Sequence, residues 1–135
     1  MKTFFKFIII SVLSLNTFIQ NSFSSEKIKI GLIVPLSGSY SQLGNTIIKS
    51  VRLAINKIDD DRIEIIPKDT KSNPINSLRS SKELYEQGVR IVIGPVFNES
   101  TKYLDELKDM TFISLTNKIY GNPSNVISAG VNAIS

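Results

Sequence analysis

Residues 27–35 read KIKIGLIVP, and this stretch carries the clearest indication of the fold. Its first four residues alternate lysine with isoleucine, and its second half is continuously apolar. A strand that is apolar on both faces is typical of the buried centre of a parallel sheet. Because parallel strands are joined by long crossover connections, the stretch predicts an α/β domain.

The rest of the chain alternates between helical and strand patterns. Turn residues separate the segments, and Asn73-Pro74 and Gly88 supply start and stop signals for one helix. The predicted elements after the first strand are, in order, a helix with an apolar face from Ile47 to Ile58, a strand at 62–67, a helix at 73–88, a strand at 89–93, a helix at 98–107, a strand at 110–115 and a short strand at 126–129.

This alternation predicts the fold class: α/β, an open parallel sheet with helices on both faces and right-handed crossovers. In such sheets ligands meet the loops at the carboxyl ends of the strands, where helix N-termini present free N–H groups. The loops are rich in Ser, Thr, Asn and Tyr, which suit a small polar ligand. They span residues 36–45, 69–73, 94–100 and 116–122.

Composition excludes several kinds of chemistry. The 135 residues contain no cysteine and no histidine, so disulfides, zinc fingers, thiol redox motifs and Ser-His-Asp triads are ruled out. No phosphate-cradling glycine loop occurs, and no cofactor is expected. The chain has no run of basic residues and no basic face interleaved with aromatic residues, so we expect no nucleic-acid partner.

Residues 1–24 have the pattern of a cleavable signal peptide. Two lysines precede an apolar run at 7–15, and small and polar residues follow it. The run is too short for a comfortable membrane span, although an uncleaved anchor is the alternative. Cleavage after Ser24 is expected. The leader holds two of the 16 basic residues and none of the 12 acidic ones, so its removal lowers the net charge from +4 to +2.

Four motifs in order resemble the type 1 periplasmic binding proteins. Residues 31–44 match that family's opening strand, its P-L-S/T-G turn and a second glycine six residues on. Asp69 follows the second strand, and residues 92–95 and 113–117 match the third and fourth strand ends. The resemblance covers residues 27–135. It implies a periplasmic location, with residues 25–135 forming a partial N-terminal lobe of a two-lobed fold. The chain is therefore expected to be a truncated product or a sequence fragment.

Two functions compete within that family. One is the solute receptor of an ABC importer, which binds an amino acid and docks on a permease. The other is the penicillin-binding protein activator, a scaffold that partners a cell-wall synthase. The residues at 92–97 and 114–117 are more similar to the activator's I-G-P-L-F and S-x-S-N. Solute receptors more often show G-x-x-x-S, whose serine position is occupied here by Asn98. The residue pattern therefore favours the activator type, with the solute receptor of an importer for amino acids as the alternative. Both readings are non-enzymatic, and membrane contact is expected only through the signal peptide.

The resemblance and the loop positions together nominate the ligand-binding residues. For each of them, turning the chain or capping a helix is the alternative role. Capping is favoured for Asn98 and Ser100 at the start of the third predicted helix. The candidates are Ser37, Ser39, Tyr40, Asn98, Ser100, Thr116 and Asn117.

Acidic residues offer little support for metal or catalytic chemistry. The cluster at 59–61 lacks further oxygen ligands in register, which favours a solvated loop over a metal site. A small secreted α/β hydrolase is the rival from another class. It is disfavoured because Asp69 has no carboxylate partner at a facing strand end and no nucleophile has a base beside it.

Overall fold

The computed structural model describes residues 26–130 apart from residue 122, so the predicted signal peptide lies outside the described residues. These residues form five strands and two α-helices, and the helices lie between the first three strands. Their bounds are β1 Ile28–Val34, α1 Ser41–Ile58, β2 Ile63–Asp69, α2 Pro74–Glu86, β3 Ile91–Ile93, β4 Thr111–Ser114 and β5 Val126–Ser128. The predicted strands are confirmed, with their ends moved by one or two residues.

The strands form one parallel sheet in the order β2-β1-β3-β4-β5. Strand β1 is central as predicted, and Ile30 pairs with Ile65 of β2 on one side and Ile91 of β3 on the other. The crossover through α1 moves the chain to one side of β1, and the crossover through α2 brings it back to the other. Right-handed crossovers in opposite directions place the two helices on opposite faces of the sheet.

The hydrophobic core lies between α2 and the sheet. Leu84 of α2 packs over Gly31 of β1, where an added Cβ would lie 2.6 Å from the Leu84 Cδ1 atom. Val92, Phe112 and Val126 continue this layer across the adjacent strands in register. The absent side chain at Gly31 therefore lets α2 approach the sheet closely.

Helix α2 begins at the predicted signal. The Asn73 side chain accepts hydrogen bonds from the Ile75 and Asn76 N–H groups at 2.9 and 3.1 Å, and Pro74 occupies the first helical position. Gly88 follows the helix with a φ of +83°. The spacing of Ile75, Leu78 and Tyr85 predicts a buried apolar face for this helix. That prediction is partly wrong, because Ile75 is 61% exposed and the buried positions are three serines and Leu84. These serines are small enough for close packing, and their hydroxyls bond to backbone carbonyls.

The predicted third helix at 98–107 is wrong. The structure has two short 3₁₀ helices instead, at Asn98–Thr101 and Leu104–Glu106. The Thr101 hydroxyl donates to the Asn98 carbonyl at 2.6 Å and accepts from the Tyr120 N–H at 2.8 Å. Hydroxyl bonds of this kind compete with continuous α-helix and tie this connection to the loop after β4.

The opposite face of the sheet is only partly covered. Val92, Phe112 and Val126 point into the core, so the residues next to them in sequence point to the α1 side. There Ile91 is 43% exposed and Ile127 is 57% exposed. Helix α1 contacts mainly β1, and these side chains of β3 and β5 stay exposed.

Candidate functional site

Asp69 joins the loops that follow β1 and β2. Its Oδ1 accepts the Leu36 N–H and the Lys71 N–H, both at 2.8 Å. Its Oδ2 accepts the Ser37 hydroxyl at 2.6 Å. Three donors therefore occupy this carboxylate, and it fixes the β1–α1 loop against the end of β2.

These contacts also set the charge state of Asp69. Burial alone raises the pKa of its carboxyl group. The hydrogen bonds from the Ser37 hydroxyl and from the Lys71 and Leu36 N–H groups outweigh burial, and the pKa lies below its ordinary value. Asp69 is therefore an ionised structural group, and its pKa is displaced away from the range that a general acid or base needs at neutral pH.

A cavity of about 270 Å³ opens beside these loops, at the carboxyl end of the sheet. It lies where the strand order reverses, with β2 on one side of β1 and β3 on the other. The loops after β1, β2 and β3 therefore all reach it. Such a switch point is where open α/β sheets bind ligands. The lining residues are Tyr40, Ser72, Pro74, Phe97, Asn98, Glu99 and Ser100.

Two aromatic rings form part of the cavity wall. The ring centroids of Tyr40 and Phe97 are 5.0 Å apart with an interplanar angle of 64°, which is an edge-to-face pair. Tyr40 also immediately precedes α1, and no side chain caps the N-terminus of that 18-residue helix. The Ser41 N–H is bonded to the Gly38 carbonyl at 3.1 Å. The positive end of the helix dipole beside Tyr40 favours a negatively charged group on this side of the cavity.

Asn98 and Ser100 supply the polar groups beside Phe97. Ser100 is buried, and Asn98 is half-buried on the same cavity. The favoured capping role is wrong for both residues, because Phe97 occupies the N-cap position and no side chain bonds to that helix end. The amide of Asn98 is therefore available to the cavity.

The other four nominated residues do not line this cavity, although all lie at the carboxyl end of the sheet. Ser37 is bonded to Asp69, and Ser39 is exposed on the turn after it. The Thr116 hydroxyl accepts the Lys118 N–H at 3.2 Å, as in a local turn, and Asn117 is exposed. The structure thus brings together Tyr40, Asn98 and Ser100.

Sequence reasoning missed four residues that line the cavity, namely Ser72, Pro74, Phe97 and Glu99. Ser72 and Phe97 lay inside loops already assigned to the ligand edge. The helix-opening signal at Asn73-Pro74 placed Pro74 at that edge as well. The register of the strands determines which loop residues face each other. The lining of the cavity can therefore be read only from the structure.

The described part of the chain contains neither a cluster of metal-ligating residues nor a helix that could span a membrane. No group of three or more acidic residues in it is placed to hold a metal ion. Asp60 of the acidic cluster instead pairs with Arg62, with 2.7 Å between Oδ2 and the guanidinium. Within residues 26–130, leaving out 122, no helix is long and apolar enough to cross a membrane.

Comparison with known proteins identifies the family. A family model described as periplasmic binding protein matches residues 27–126, which is most of the chain. No curated protein matches the sequence.

Solved structures share the fold at low sequence identity. An ABC-type branched-chain amino acid transporter from Rhodopseudomonas palustris CGA009 is 19% identical with a TM-score of 0.67, covering 78% of this chain and 33% of its own. A solute binding protein of an ABC transporter from Rhodopseudomonas palustris BisB5, in complex with 3,4-dihydroxybenzoic acid, is 24% identical with a TM-score of 0.66, covering 75% and 31%. LpoA from Haemophilus influenzae is 21% identical with a TM-score of 0.57, covering 69% and 17%. The chain thus spans a third or less of these structures.

Proposed function

Because the chain belongs to the type 1 periplasmic binding protein family, we propose that it is a non-enzymatic solute-binding module. Its ligand is a small polar molecule with a carboxylate, such as an amino acid. The observation that carries this proposal is the cavity of about 270 Å³ at the switch point of the sheet, reached by loops from three parallel strands.

Different cavity residues recognise different parts of such a ligand. The Asn98 amide donates a hydrogen bond to the carboxylate, and the positive end of the α1 dipole beside Tyr40 favours its negative charge. The Tyr40 and Phe97 rings pack against the apolar part. The Ser100 hydroxyl at the cavity lining offers a further donor or acceptor to a polar substituent.

The described loops form one wall of a binding site. In a two-lobed receptor the second wall comes from the other lobe, which closes on the ligand. We propose that residues 25–135 are part of the first lobe and that residues 1–24 export the chain to the periplasm. An ABC permease is the partner that a receptor of this kind would serve.

The ligand proposal is tested by titrating the ¹⁵N-labelled chain with leucine and with 4-hydroxybenzoate while recording amide shifts. A single wall gives weak binding, with a Kd of about 1 mM. Shifts are expected at Tyr40, Asn98 and Ser100. Asn98→Ala should weaken binding about fivefold because it removes the amide donor.

Asn45→Ala is the matched control, because Asn45 is an exposed asparagine on α1 that does not line the cavity. It should leave the Kd unchanged. Absence of shifts at the three cavity residues with both compounds, at concentrations up to about ten times the expected Kd, would contradict the solute-binding proposal.

The activator type is the second candidate, and one feature favours it. Residues 93–97 read I-G-P-V-F and differ from its I-G-P-L-F pattern at Val96 only. They bring Phe97 against Tyr40 at the cavity rim. An aromatic rim also suits a protein partner such as a cell-wall synthase. A pull-down of purified penicillin-binding synthases by the chain tests this reading. Capture that is lost in Phe97→Ala, without amide shifts from small acids, selects the scaffold over the receptor.

A further inference from the structure

A second cavity of about 280 Å³ lies beside the proposed solute site. It shares only Pro74 and Glu99 with the first cavity, and it extends away from the strand ends toward the loop after β4. We call it the side cavity. Its lining residues are Pro74, Ile75, Glu99, Lys102, Tyr103 and Tyr120.

The walls of the side cavity are mainly apolar and aromatic. Ile75, on the first turn of α2, is 61% exposed and takes no part in the core. Tyr103 and Tyr120 come from different connections, after β3 and after β4, and Tyr120 is 52% exposed. The Thr101 hydroxyl binds the Tyr120 N–H and so holds the two connections together. Exposed apolar side chains that converge on one cavity favour an apolar ligand group there.

Two opposite charges flank these walls. The Lys102 Nζ atom lies 5.3 Å from the ring centroid of Tyr103 and 5.7 Å from that of Tyr120, within cation–π range of both. Glu99 lies on the 3₁₀ helix at Asn98–Thr101, and the Lys102 N–H, just after that helix, donates to the Glu99 carbonyl at 3.3 Å. Yet in the part of the chain that the structure describes, neither side chain belongs to an ion pair. The cavity is therefore lined by a cation and an anion that are not in direct contact with each other.

We propose that the side cavity is a second binding site, separate from the solute site, for a free α-amino acid with an apolar or aromatic side chain. Lys102 binds its carboxylate, and Glu99 binds its ammonium group. Its side chain packs among Ile75, Tyr103 and Tyr120. The volume is at the lower end for ligand sites, which suits one small molecule rather than a polymer.

The test is a titration of the ¹⁵N-labelled chain with L-phenylalanine, L-phenylalaninamide and N-acetyl-L-phenylalanine. The amide lacks the carboxylate and the acetyl compound lacks the ammonium group. Phenylalanine is expected to shift the amides of Ile75, Lys102 and Tyr120 and to bind about tenfold more tightly than either analogue.

Charge variants assign each preference to one residue. Lys102→Gln should abolish the preference for phenylalanine over its amide, and Glu99→Gln should abolish the preference over the acetyl compound. Lys49→Gln is the matched control, because Lys49 is an exposed lysine on α1, outside the side cavity. It should change neither preference. Spectra of all three variants that keep the dispersion of the parent chain exclude misfolding as the cause.

Two results would overturn the proposal: phenylalanine shifts confined to Tyr40, Asn98 and Ser100, or a preference over the amide that persists in Lys102→Gln. The variant Asn98→Ala separates this proposal from the solute site. It should remove the shifts at the solute site and leave those at Ile75 and Tyr120. The two proposals can therefore be disproved independently of each other.

Discussion

At the residue scale, Asp69 fixes the positions of the loops that form the solute site, although it was not nominated as a ligand residue. Its carboxylate accepts hydrogen bonds from the Leu36 and Lys71 N–H groups and from the Ser37 hydroxyl. These bonds position the loop that leads into α1, and with it Tyr40. Asp69 is thus a positioning residue that holds the loops after β1 and β2 together.

Replacing Asp69 by asparagine should lower the free energy of unfolding by about 1–2 kcal/mol at pH 7, because an amide cannot accept from all three donors as a carboxylate does. Urea unfolding monitored by circular dichroism measures this loss. Asp61→Asn, at an exposed carboxylate, is the matched control and should leave stability unchanged.

The same substitution should alter the response to acid. The pKa of Asp69 is lower in the folded chain than in the unfolded chain, so its contribution is complete above the unfolded value of about 3.9. That contribution is lost as the pH falls through the folded value. Asp69→Asn should therefore lose less stability than the parent chain on acidification below about pH 4. Equal losses in both proteins contradict the assigned role.

At the element scale, the placement of α1 is decided by one backbone contact. Gly44, in the first turn of α1, lies against the carbonyl of Pro35 at the end of β1, and an added Cβ would overlap that oxygen. Gly44 is also the buried residue of a helix whose other positions are half-buried or exposed. The helix start, which borders the solute cavity, is therefore fixed by the close approach of two backbones.

Gly44→Ala should lower the free energy of unfolding by about 2–3 kcal/mol, since the Pro35 backbone cannot move aside without shifting the strand end. Thermal unfolding provides the measurement. Asn45→Ala, one position along the same helix and exposed, should leave stability equal or slightly higher. A Gly44→Ala protein as stable as its parent shows that the helix start is free to shift.

At the scale of the whole molecule, the two faces of the sheet differ. One face is packed by α2, the 3₁₀ helices and the loop after β4, and it carries the core. The other is covered by α1 near β1 and leaves Ile91 and Ile127 exposed, with Ile93 and Ile113 half-buried between them. A continuous apolar surface of this kind is unusual on a monomeric protein and favours association.

The purified chain should therefore self-associate at concentrations of about 100 µM, and Ile127→Lys should reduce the association by placing a charge on the apolar surface. Sedimentation velocity measures the change. The stability of Ile127→Lys should match the parent chain because the side chain is 57% exposed. Val126→Lys is the contrasting variant, since Val126 is buried in the core and the charge should unfold the chain. Unchanged association in Ile127→Lys rules out this surface as the contact.

Sequence patterns predicted the elements well where local and tertiary forces agree. The apolar run of β1 and the Asn73 cap of α2 were both identified because each rests on residues that are close in sequence. The segment at 98–107 was predicted to be a helix because its apolar spacing is helical. The contact of Thr101 with Tyr120, which lies 19 residues away, supports 3₁₀ geometry instead.

Local patterns in the sequence predict the five strands, the two α-helices, the parallel sheet and the edge at which the polar loops gather, because these follow from periodicity and the handedness of crossovers. The tertiary structure alone brings the rings of Tyr40 and Phe97 together, links the loops after β1 and β2 through Asp69, and places Glu99 and Lys102 beside a second cavity. Such contacts join residues from different connections. Their geometry depends on strand register and on backbone approaches such as that of Gly44 to Pro35, which no local pattern encodes.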